Sequence, residues 1–558
     1  MRGSLIVISS LFPLSACTTT AAPVVASGAP VEVHLLAIND FHGNLDPPSG
    51  GVFVIDRANP QARASVPGGG APRLATAVHE LSQRPNTVMV AAGDLIGASP
   101  LLSSLFHDEP TIEALSEMGL AITSVGNHEF DEGWQELRRM QNGGCHPVDG
   151  CKGPKPFAGA KFEYLAASTY LDDGTTLFPP YTIRELGGVK VGFIGLTLEG
   201  TPDVITPAAR AGLTFKDEAE TVNALVPQLQ AKGVQAIVVL LHEGGYTTGT
   251  SDDCRGLNGT ITEIVPKFDK AVDVVVSGHT NGIYICNVDG RLVTSAGAYG
   301  TRLTDITLMI DAKSGDVIGA NGRDVPIAES AFAEDPAQVE LISAYRKQAE
   351  PLMKRLVGTI TADITRRGGA SGESAMGDII ADSMVEAARR QADKENMADK
   401  VDVGFMNPGG IRSDLPMHDS GQVTFADIFT VQPFGNDLVV LTLTGADIET
   451  ILKQQYQASG NNILQVSDGF AFAWRQPAGQ PIEIVPGSVM LRGQPIVATQ
   501  TYRVVTNNFL AGGGDSFFGF KTGTDRVTIG SDIDALEAYF KNHAPITPAI
   551  KGRIKKID

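Results

Sequence analysis

The sequence is short of positive charge, and it has no long apolar run beyond its N-terminus. Lysine and arginine together number 44 against 63 aspartates and glutamates, which gives a net charge of −19 at pH 7. Such an acidic chain is poorly suited to bind nucleic acid or an anionic membrane along its whole surface. No apolar stretch after the N-terminus reaches the roughly 20 residues that a membrane-spanning helix needs.

Length and composition indicate a globular protein with more than one domain. The chain has 558 residues, of which 42% are apolar, and this fraction excludes wholesale disorder. A chain of this length can bury large cores. The 62 glycines and 32 prolines indicate many turns. Segment 44–70 is rich in both residues and is predicted to be a long surface loop.

The N-terminus has the pattern of an export signal. Arg2 precedes an apolar segment over residues 5–14, which is too short to span a membrane. The segment ends in Leu14-Ser15-Ala16-Cys17, which resembles the bacterial lipobox, where cleavage before the cysteine is coupled to its lipidation. We expect residues 1–17 to be a lipoprotein signal peptide, Cys17 to carry the lipid, and residues 18–30 to be a tether. An ordinary signal peptide with an incidental cysteine is the alternative.

Four further cysteines are expected to form disulfides, because an even count in an exported chain favours them. They are Cys145, Cys151, Cys254 and Cys286, which permit three pairings. The turn residues around Cys145 and Cys151 favour a bond between those two, which would leave Cys254 with Cys286. A cysteine-ligated zinc ion is the alternative, although no close CxxC pair supports it.

The apolar pattern divides the mature chain into two parts joined by a helix. Residues 31–326 alternate buried-strand patterns (33–38, 88–92, 189–196, 236–241 and 272–276) with helical ones, which is an α/β arrangement. Asp335-Pro336-Ala337-Gln338 has the pattern of a helix start. We therefore place a linker helix and hinge at 327–356, with a kink at Pro351. Residues 357–558 have strands and helices of their own and are predicted to form a separate α/β domain.

Each predicted strand of the first part ends in potential metal ligands beside a glycine. Strand ends on one rim of a sheet converge, so we expect these side chains to meet on a rigid scaffold. The segments are Asn39-Asp40-Phe41-His42, Gly93-Asp94, Gly126-Asn127-His128-Glu129, His242-Glu243-Gly244-Gly245 and Gly278-His279-Thr280-Asn281.

These side chains have the composition of a site for two divalent metal ions. Two ions about 3.5–4 Å apart need one bridging carboxylate and several His, Asp or Asn donors. The strand ends supply Asp40, His42, Asp94, Asn127, His242 and His279. A lone aspartate or histidine would be read as a capping or surface residue, so it is the ordered series that indicates a site. Mixed ligands of this kind suit Zn, Mn, Fe or Co.

The ordered series resembles the calcineurin-like metallophosphoesterases, and longer matches resemble the 5′-nucleotidase family. Asn39-Asp40-Phe41-His42-Gly43 and Gly126-Asn127-His128-Glu129-Phe130-Asp131 are similar to its catalytic domain. Gly372-Glu373-Ser374, Asn407-Pro408-Gly409-Gly410-Ile411-Arg412, Gln432-Pro433-Phe434-Gly435-Asn436 and Asn508-Phe509 through Gly514-Asp515 are similar to its C-terminal domain. The resemblance implies a four-layer β-sandwich flanked by helices at 31–326 and a C-terminal nucleotide-binding domain at 357–558.

The resemblance also implies a role for each residue of the rim. Asp94 would bridge the two metals, Asp40 and His42 would hold one, and the other would be held by Asn127, His242 and His279. His128 with Asp131 would form a dyad that steadies the phosphate while a metal-bound hydroxide attacks. Glu129 and Glu243 are assigned supporting positions near the ligands. Asn281 stands where most members have a second histidine, and it is expected to be a weaker ligand.

The resemblance assigns substrate binding to the second domain. Phe434 and Phe509 would stack on the two faces of a base, which contributes about 1–3 kcal/mol per base. Arg412 would bind phosphate, and either Arg366 or Arg367 would add a further contact. Asn407 and Asn436 would hydrogen-bond the base, and Asp515 the ribose hydroxyls. Taken alone, each phenylalanine would be read as a core residue.

The expected function is hydrolysis of nucleotides by an exported enzyme of the periplasm or cell surface. Substrates would be 5′-nucleoside monophosphates, with UDP-sugars or 2′,3′-cyclic nucleotides as further possibilities. The expected partners are these nucleotides and a membrane reached only through the lipid, without a nucleic-acid polymer or an obligate protein partner. Two alternatives are a sulfur-oxidation hydrolase of the thiosulfohydrolase type and a surface protein that binds nucleotide without cleaving it.

Overall fold

The computed structural model describes residues 28–55, 63–248, 254–394, 400–418, 420–457, 460–477 and 480–557. The expected signal peptide, its Cys17 and most of the expected tether lie outside these residues. Across the described ranges, no helix has both the length and the apolar character needed to cross a membrane.

Residues 31–326 form two six-stranded sheets together with short hairpins. The strands are β1 (Val31–Ile38), β2 (Val52–Ile55), β3 (Arg63–Val66), β4 (Thr87–Ala91), β5 (Leu120–Ser124), β6 (Glu163–Leu165), β7 (Thr169–Leu171), β8 (Tyr181–Leu186), β9 (Val189–Thr197), β10 (Leu213–Phe215), β11 (Ala236–His242), β12 (Val274–Ser277), β13 (Ile283–Val288), β14 (Arg291–Ala296), β15 (Arg302–Ile310) and β16 (Val317–Pro326). The segment 44–70, expected to be a loop, instead contains the hairpin of β2 and β3.

The two sheets have similar topologies, each with a parallel centre. The first has the order β16-β15-β1-β4-β5-β6, in which β1, β4, β5 and β6 run parallel. The second has the order β13-β14-β12-β11-β9-β8, in which β9, β11, β12 and β14 run parallel. Parallel strands have their carboxyl ends at one edge, so each sheet can present several loops on a single rim.

The sheets pack face to face, and helices cover their outer faces. Alternate residues of β1 divide between the two sides: Val33 and Leu35 enter the core between the sheets, and Leu36 faces the helices. The helices are α1 (Ala71–Leu81), α2 (Leu101–Ser104), α3 (Glu109–Glu117), α4 (Trp134–Asn142), α5 (Thr201–Val204), α6 (Glu218–Ala231), α7 (Ile261–Ile264) and α8 (Pro336–Met353). The expected four-layer arrangement is confirmed.

Helix α8 lies within the expected linker and contacts both halves of the chain. Asp335 caps it by accepting hydrogen bonds of 3.0 Å from the backbone N–H groups of Ala337 and Gln338. Tyr345 is buried against Phe106 of the first half, whereas the last turn packs on the core of the second half. The helix continues through Pro351 to its end.

The second half forms an α/β domain around a five-stranded sheet of order β23-β18-β28-β20-β29. The strands are β17 (Leu356–Thr359), β18 (Val403–Met406), β19 (Gln422–Thr424), β20 (Asp437–Thr444), β21 (Tyr456–Gln457), β22 (Gly460–Asn461), β23 (Gln465–Val466), β24 (Phe470–Arg475), β25 (Glu483–Ile484), β26 (Met490–Leu491), β27 (Gln494–Pro495), β28 (Thr501–Asn507), β29 (Thr524–Ser531) and β30 (Ile554–Lys556). The helices are α9 (Ala375–Lys394), α10 (Phe425–Val431), α11 (Gly445–Lys453), α12 (Asn508–Ala511) and α13 (Asp532–His543). One core lies on each face of the sheet.

The four cysteines that follow Cys17 in the sequence form two disulfides. Cys145 is bonded to Cys151, and Cys254 is bonded to Cys286. The favoured pairing is confirmed, and these cysteines do not form a zinc site. Disulfides persist in oxidising compartments, so both bonds agree with export.

Candidate active site

Loops that follow five strands meet on one rim of the sandwich. The first sheet supplies the loops after β1, β4 and β5, and the second supplies those after β11 and β12. Five of the expected ligands there have left-handed backbone conformations, which non-glycine residues adopt uncommonly and which cluster at functional sites. They are Asp40 (φ 49°), His42 (φ 47°), Asp94 (φ 50°), His279 (φ 69°) and Asn281 (φ 54°).

Asp94 lies at the centre of the cluster. Its Oδ2 is 3.1 Å from His242 Nε2 and 3.6 Å from His42 Nε2. Its Oδ1 accepts a hydrogen bond of 2.9 Å from the backbone N–H of His128. One carboxylate oxygen thus faces histidines from both sheets, which is the position that a bridging ligand requires.

Asp40 and His42 form the first group of potential ligands around Asp94. The Nδ1 of His42 donates to the Gly97 carbonyl at 2.9 Å, which leaves Nε2 to face the carboxylates. Asp40 Oδ1 is 4.0 Å from that Nε2 and is buried without a hydrogen-bond partner. A buried oxygen without a partner is costly unless a cation occupies the space beside it.

His242 and His279 form the second group with Asp94. The Nδ1 of His242 donates to the Ala92 carbonyl at 2.7 Å, so its Nε2 also faces the cluster. Asn127 Oδ1 lies 3.2 Å from His242 Nε2 and 2.9 Å from His279 Nδ1. The two groups share Asp94, which is the arrangement expected of a dinuclear site.

The electrostatics of the rim favour a bound cation. Burial and the neighbouring Asp94 raise the pKa of Asp40. Burial favours neutral His242, but Asp94 and Asp40 outweigh it and raise the pKa of His242 to about 10. Burial lowers the pKa values of His42 and His279 to about 3, so both imidazoles are neutral and able to ligate. The donor set therefore fits divalent metal ions.

Asn281 differs from the other rim residues. It lies two residues after His279 with a left-handed backbone (φ 54°), and its side chain is exposed. Its expected role as a weak ligand stays a prediction.

His128 and Asp131 form a pair beside the rim. The Nδ1 of His128 is 2.9 Å from Asp131 Oδ2 and 3.2 Å from Oδ1, and the His128 ring centroid lies 5.0 Å from that of His42. Burial opposes a charge on His128, but Asp131 and Asp94 raise its pKa overall. The pair places a hydrogen-bond donor beside the potential ligands.

Glu129 is buried, and its carboxylate accepts hydrogen bonds from three backbone N–H groups. Its Oε2 accepts from the backbone N–H groups of Asp94 at 2.9 Å and Gly126 at 2.6 Å, and its Oε1 accepts from Leu95 at 2.7 Å. One side chain therefore joins the loop after β4 to the loop after β5. Asn39 acts similarly on Asp40, since its Nδ2 donates to Asp40 Oδ2 at 2.6 Å.

The second domain reaches the rim through Phe434. The Phe434 ring stacks on His128 with centroids 5.7 Å apart and an interplanar angle of 22°. The guanidinium carbon of Arg412 lies 5.8 Å from the Phe434 centroid. An aromatic ring and a cation of the second domain thus stand directly beside the His128–Asp131 pair.

The other residues expected to bind substrate lie in two separate places in the second domain. Asn407 Nδ2 donates to Asp515 Oδ2 at 2.8 Å, and the Phe509 ring lies so close to Gly514 that an added Cβ there would be 2.5 Å from it. Asn436 lies beside the buried Asp532, whose backbone N–H donates to the Asn436 carbonyl at 2.8 Å.

The sequence did not predict Tyr299 as a site residue, and it left open whether Arg366 or Arg367 lies at the site. The Tyr299 ring centroid is 5.9 Å from that of His42, and the Tyr299 N–H donates to the Asp40 carbonyl at 2.8 Å. Of the two candidate arginines, Arg366 interacts with Tyr299 and Arg412, and its pKa is lowered chiefly by burial. Tyr299 follows strand β14, which the apolar pattern of the sequence does not predict.

The fold and the rim together define a class, the two-domain metallophosphoesterases with a four-layer α/β sandwich. The model of the calcineurin-like phosphoesterase family matches residues 33–282, and that of the 5′-nucleotidase C-terminal domain matches residues 356–522. The chain belongs to the 5′-nucleotidase family, whose members hydrolyse phosphoric monoesters. The expected family and enzyme class are confirmed.

The chain is similar to several known proteins along most of its length. It is 31% identical to the cell wall protein Lmo0130 of Listeria monocytogenes, covering 94% of this chain and 68% of that protein. It is 30% identical to endonuclease YhcR of Bacillus subtilis, but it spans only 41% of that protein's length while 94% of this chain is matched. It is 26% identical to the 5′-nucleotidase of Diplobatis ommata, covering 94% of this chain and 90% of that protein.

Two solved structures share the architecture. The 5′-nucleotidase precursor of Thermus thermophilus superposes with a TM-score of 0.74 at 25% identity, covering 95% of this chain and all of that one. The sulfate thiohydrolase SoxB of Thermus thermophilus superposes with a TM-score of 0.67 at 16% identity, covering 96% of this chain and 98% of that one. The second likeness concerns the fold alone.

Proposed function

We propose that this protein is an exported, metal-dependent phosphoesterase that hydrolyses 5′-nucleoside monophosphates to nucleoside and phosphate. UDP-sugars and 2′,3′-cyclic nucleotides are further candidate substrates. The observation that carries the proposal is the stacking of Phe434 on His128, since it brings a base-binding candidate of one domain to the potential ligands of the other.

The proposed metal ligands are Asp40 and His42 for one ion and Asn127, His242 and His279 for the other. Asp94 is shared by the two ions, and Asn281 is an additional, weaker candidate. The unpartnered Asp40 Oδ1 and the oriented Nε2 atoms of His42 and His242 support this assignment. When bound, two divalent ions make water acidic enough to act as a nucleophile and offset negative charge on the phosphoryl oxygens. Zn, Mn, Fe and Co all suit this donor set.

The residues of the chain position the substrate. Asp131 holds Nδ1 of His128, so Nε2 of His128 is the atom that donates to a phosphoryl oxygen and stabilises its charge in the transition state. Arg412 and Arg366 bind phosphate oxygens through their guanidinium groups. Phe434 and Phe509 enclose the base, while Asp515 and Asn407 contact the ribose and base. Asn436 is a further candidate to hydrogen-bond the base.

We further propose that the protein is anchored to a bacterial membrane through a lipid on Cys17. The two disulfides support an oxidising compartment, and the relative from Listeria monocytogenes is named a cell wall protein. Mass spectrometry of the membrane-bound protein tests the proposal. A lipid-modified N-terminal peptide beginning at Cys17 is expected, and an unmodified peptide that begins elsewhere would contradict it.

The catalytic proposal is tested on the full mature chain reconstituted with each candidate metal. Phosphate release is measured from AMP and glycerophosphate, and chromatography of the products measures cleavage of UDP-glucose, a 2′,3′-cyclic nucleotide and single-stranded DNA. We expect AMP to be preferred, chelator to abolish turnover and added metal to restore it. Asp94→Ala should be inactive, whereas the exposed Asp534→Ala serves as the matched control and should retain activity.

Other results would identify other functions. Equal rates on AMP and glycerophosphate would show that the base is not recognised. Binding of AMP without turnover at any metal loading would identify a nucleotide-binding protein. Cleavage of single-stranded DNA in preference to AMP would favour the activity in the name of the Bacillus subtilis relative, although a net charge of −19 opposes binding along a polyanion.

A further inference from the structure

One peptide group lies between the proposed ligand His42 and the His128–Asp131 pair. The carbonyl of Gly97 accepts a hydrogen bond of 2.9 Å from His42 Nδ1. The N–H of the same peptide group belongs to Ala98, and it donates to Asp131 Oδ2 at 3.1 Å. That carboxylate oxygen is also 2.9 Å from His128 Nδ1. Because a peptide group is planar, its carbonyl and its N–H cannot turn independently, so the orientation of His42 is tied to that of Asp131.

Gly97 packs tightly against the turn that carries the pair. Its φ is +79°, and an added Cβ would lie 2.2 Å from the His128 carbonyl oxygen and 2.7 Å from Asp131 Oδ2. Ala98 also has a left-handed backbone, with φ 49°. Non-glycine residues adopt this conformation uncommonly, and it persists only where the surrounding structure holds it. The peptide group between Gly97 and Ala98 therefore needs support from its neighbours.

Asp108, the residue before α3, supplies that support. Its Oδ2 accepts a hydrogen bond of 3.1 Å from the Gly97 N–H, and its Oδ1 accepts one of 2.5 Å from Ser103 Oγ. Asp108 is only 7% exposed, so water competes little for these bonds. An aspartate directly before a helix usually caps it, but the Asp108 side chain makes no such bond, and its own backbone is left-handed (φ 60°). The carboxylate is thus directed to the rim loop rather than to α3.

We propose that the Gly97–Ala98 peptide group keeps His42 and the His128–Asp131 pair in a fixed relation during phosphoester hydrolysis. Asp108 is the positioning residue that holds this peptide group. The inference rests on the proposed function. Without the Asp108 carboxylate, the Gly97 N–H would be buried without an acceptor, and the peptide group would lose one of the bonds that hold it. A single change outside the rim would then misdirect both a proposed metal ligand and the proposed donor to the phosphoryl group.

The test compares Asp108→Ala, Asp108→Asn and the wild type as full mature chains. Loss of a group that orients metal ligands typically costs 10- to 100-fold in affinity or activity, so Asp108→Ala should weaken one Zn²⁺ ion and lower kcat for AMP by about these factors. KM for AMP at saturating Zn²⁺ should change less than about twofold, because the lost interaction acts in the transition state. Asp108→Asn should restore most of both values, since an amide oxygen can accept from Gly97 while the amide nitrogen donates to the Ser103 hydroxyl.

Glu113→Ala is the matched control. Glu113 is a carboxylate of α3 that is 8% exposed and pairs with Lys155. Its removal should lower the unfolding midpoint and leave kcat and Zn²⁺ affinity as in the wild type. If Asp108→Ala likewise changes only the unfolding midpoint, Asp108 supports the fold alone and the inference is wrong.

Hydrogen exchange of the wild type tests the same inference without a variant. Mass spectrometry of short overlapping fragments should show slow exchange at the amides of Gly97 and Ala98, because both donate to carboxylates. Rapid exchange there would show that the peptide group is not held and would overturn the inference, while hydrolysis of AMP by the wild type would still support the proposed function. A wild-type chain that neither binds Zn²⁺ nor hydrolyses AMP would instead overturn the proposed function, and the inference with it.

Discussion

At the scale of single residues, backbone carbonyls fix the direction of two of the proposed histidine ligands. His42 and His242 are held at Nδ1 by the carbonyls of Gly97 and Ala92, so that their Nε2 atoms face Asp94. Phe434 depends on a side chain instead, because it stacks on His128 across the domain boundary. A Phe434 variant therefore tests the proposed link between base binding and the His128–Asp131 pair.

Phe434→Ala should impair hydrolysis of AMP more than that of glycerophosphate, which has no base. Loss of one stacking face costs about 1–3 kcal/mol, which corresponds to a roughly 5- to 150-fold lower kcat/KM for AMP. The measurement is the ratio of kcat/KM for the two substrates, so any general effect on His128 cancels. Phe518→Ala, which removes an exposed ring, is the control and should leave the ratio unchanged. An equal fall on both substrates would show that Phe434 does not bind the base.

At the scale of secondary-structure elements, the geometry of the rim depends on the register of neighbouring strands, which sets where each loop begins. Ile38 of β1 is level with Ala91 of β4, so the loops that carry Asp40 and Asp94 begin side by side. Glu129 then ties the loop after β4 to the loop after β5 through three backbone N–H groups. Its role is to position Asp94 and Asn127.

Glu129→Gln should destabilise the protein and lower its activity. An amide nitrogen would replace one carboxylate oxygen and face a backbone N–H, leaving at least one buried donor unsatisfied at a cost of about 1–3 kcal/mol. Urea unfolding and kcat/KM for AMP measure the two effects. Glu243→Gln is the matched control, since Glu243 accepts one backbone N–H, that of Gly244. If both variants unfold at the same urea concentration as the wild type, the three bonds to Glu129 do not support the rim.

At the scale of the whole molecule, the proposed function requires the two domains to meet. Besides Phe434 and His128, the domains touch at Gly512, where an added Cβ would lie 2.8 Å from Cγ and Cδ of Pro207. The backbone of Gly512 has φ −80°, so another residue fits its conformation. A side chain there should disturb the contact between domains and leave each core intact.

Gly512→Val should separate the domains and reduce kcat/KM for AMP several-fold, because Phe434 would no longer be held beside His128. Small-angle scattering should give a larger radius of gyration, while the unfolding midpoint changes little. Gly50→Val is the control, since an added Cβ there meets no atom within 4 Å. Unchanged scattering and unchanged activity would show that this contact does not set the arrangement of the domains.

Several features of the site could be predicted because they depend on which residues follow one another along the sequence. Apolar runs identified the central strands, and the polar residues after them identified Asp40, Asp94, His242 and His279. Buried parallel strands are continuous apolar segments, and their ends share one rim. The disulfide pairing followed from the turns around Cys145 and Cys151. Tyr299 was missed because its strand is not a continuous apolar run and the loop after it contains no His, Asp or Asn.

The sequence by itself determined the two-domain α/β class, the ordered series of candidate ligands and the family they resemble, since these depend on periodicity and on residue types at strand ends. Only the tertiary structure decided which atoms face one another. The stacking of Phe434 on His128, the backbone bond from Asp532 to Asn436 and the three bonds of Glu129 all join segments whose distance is set by packing. Local patterns do not encode such distances, because they arise when two sheets and two domains close on each other.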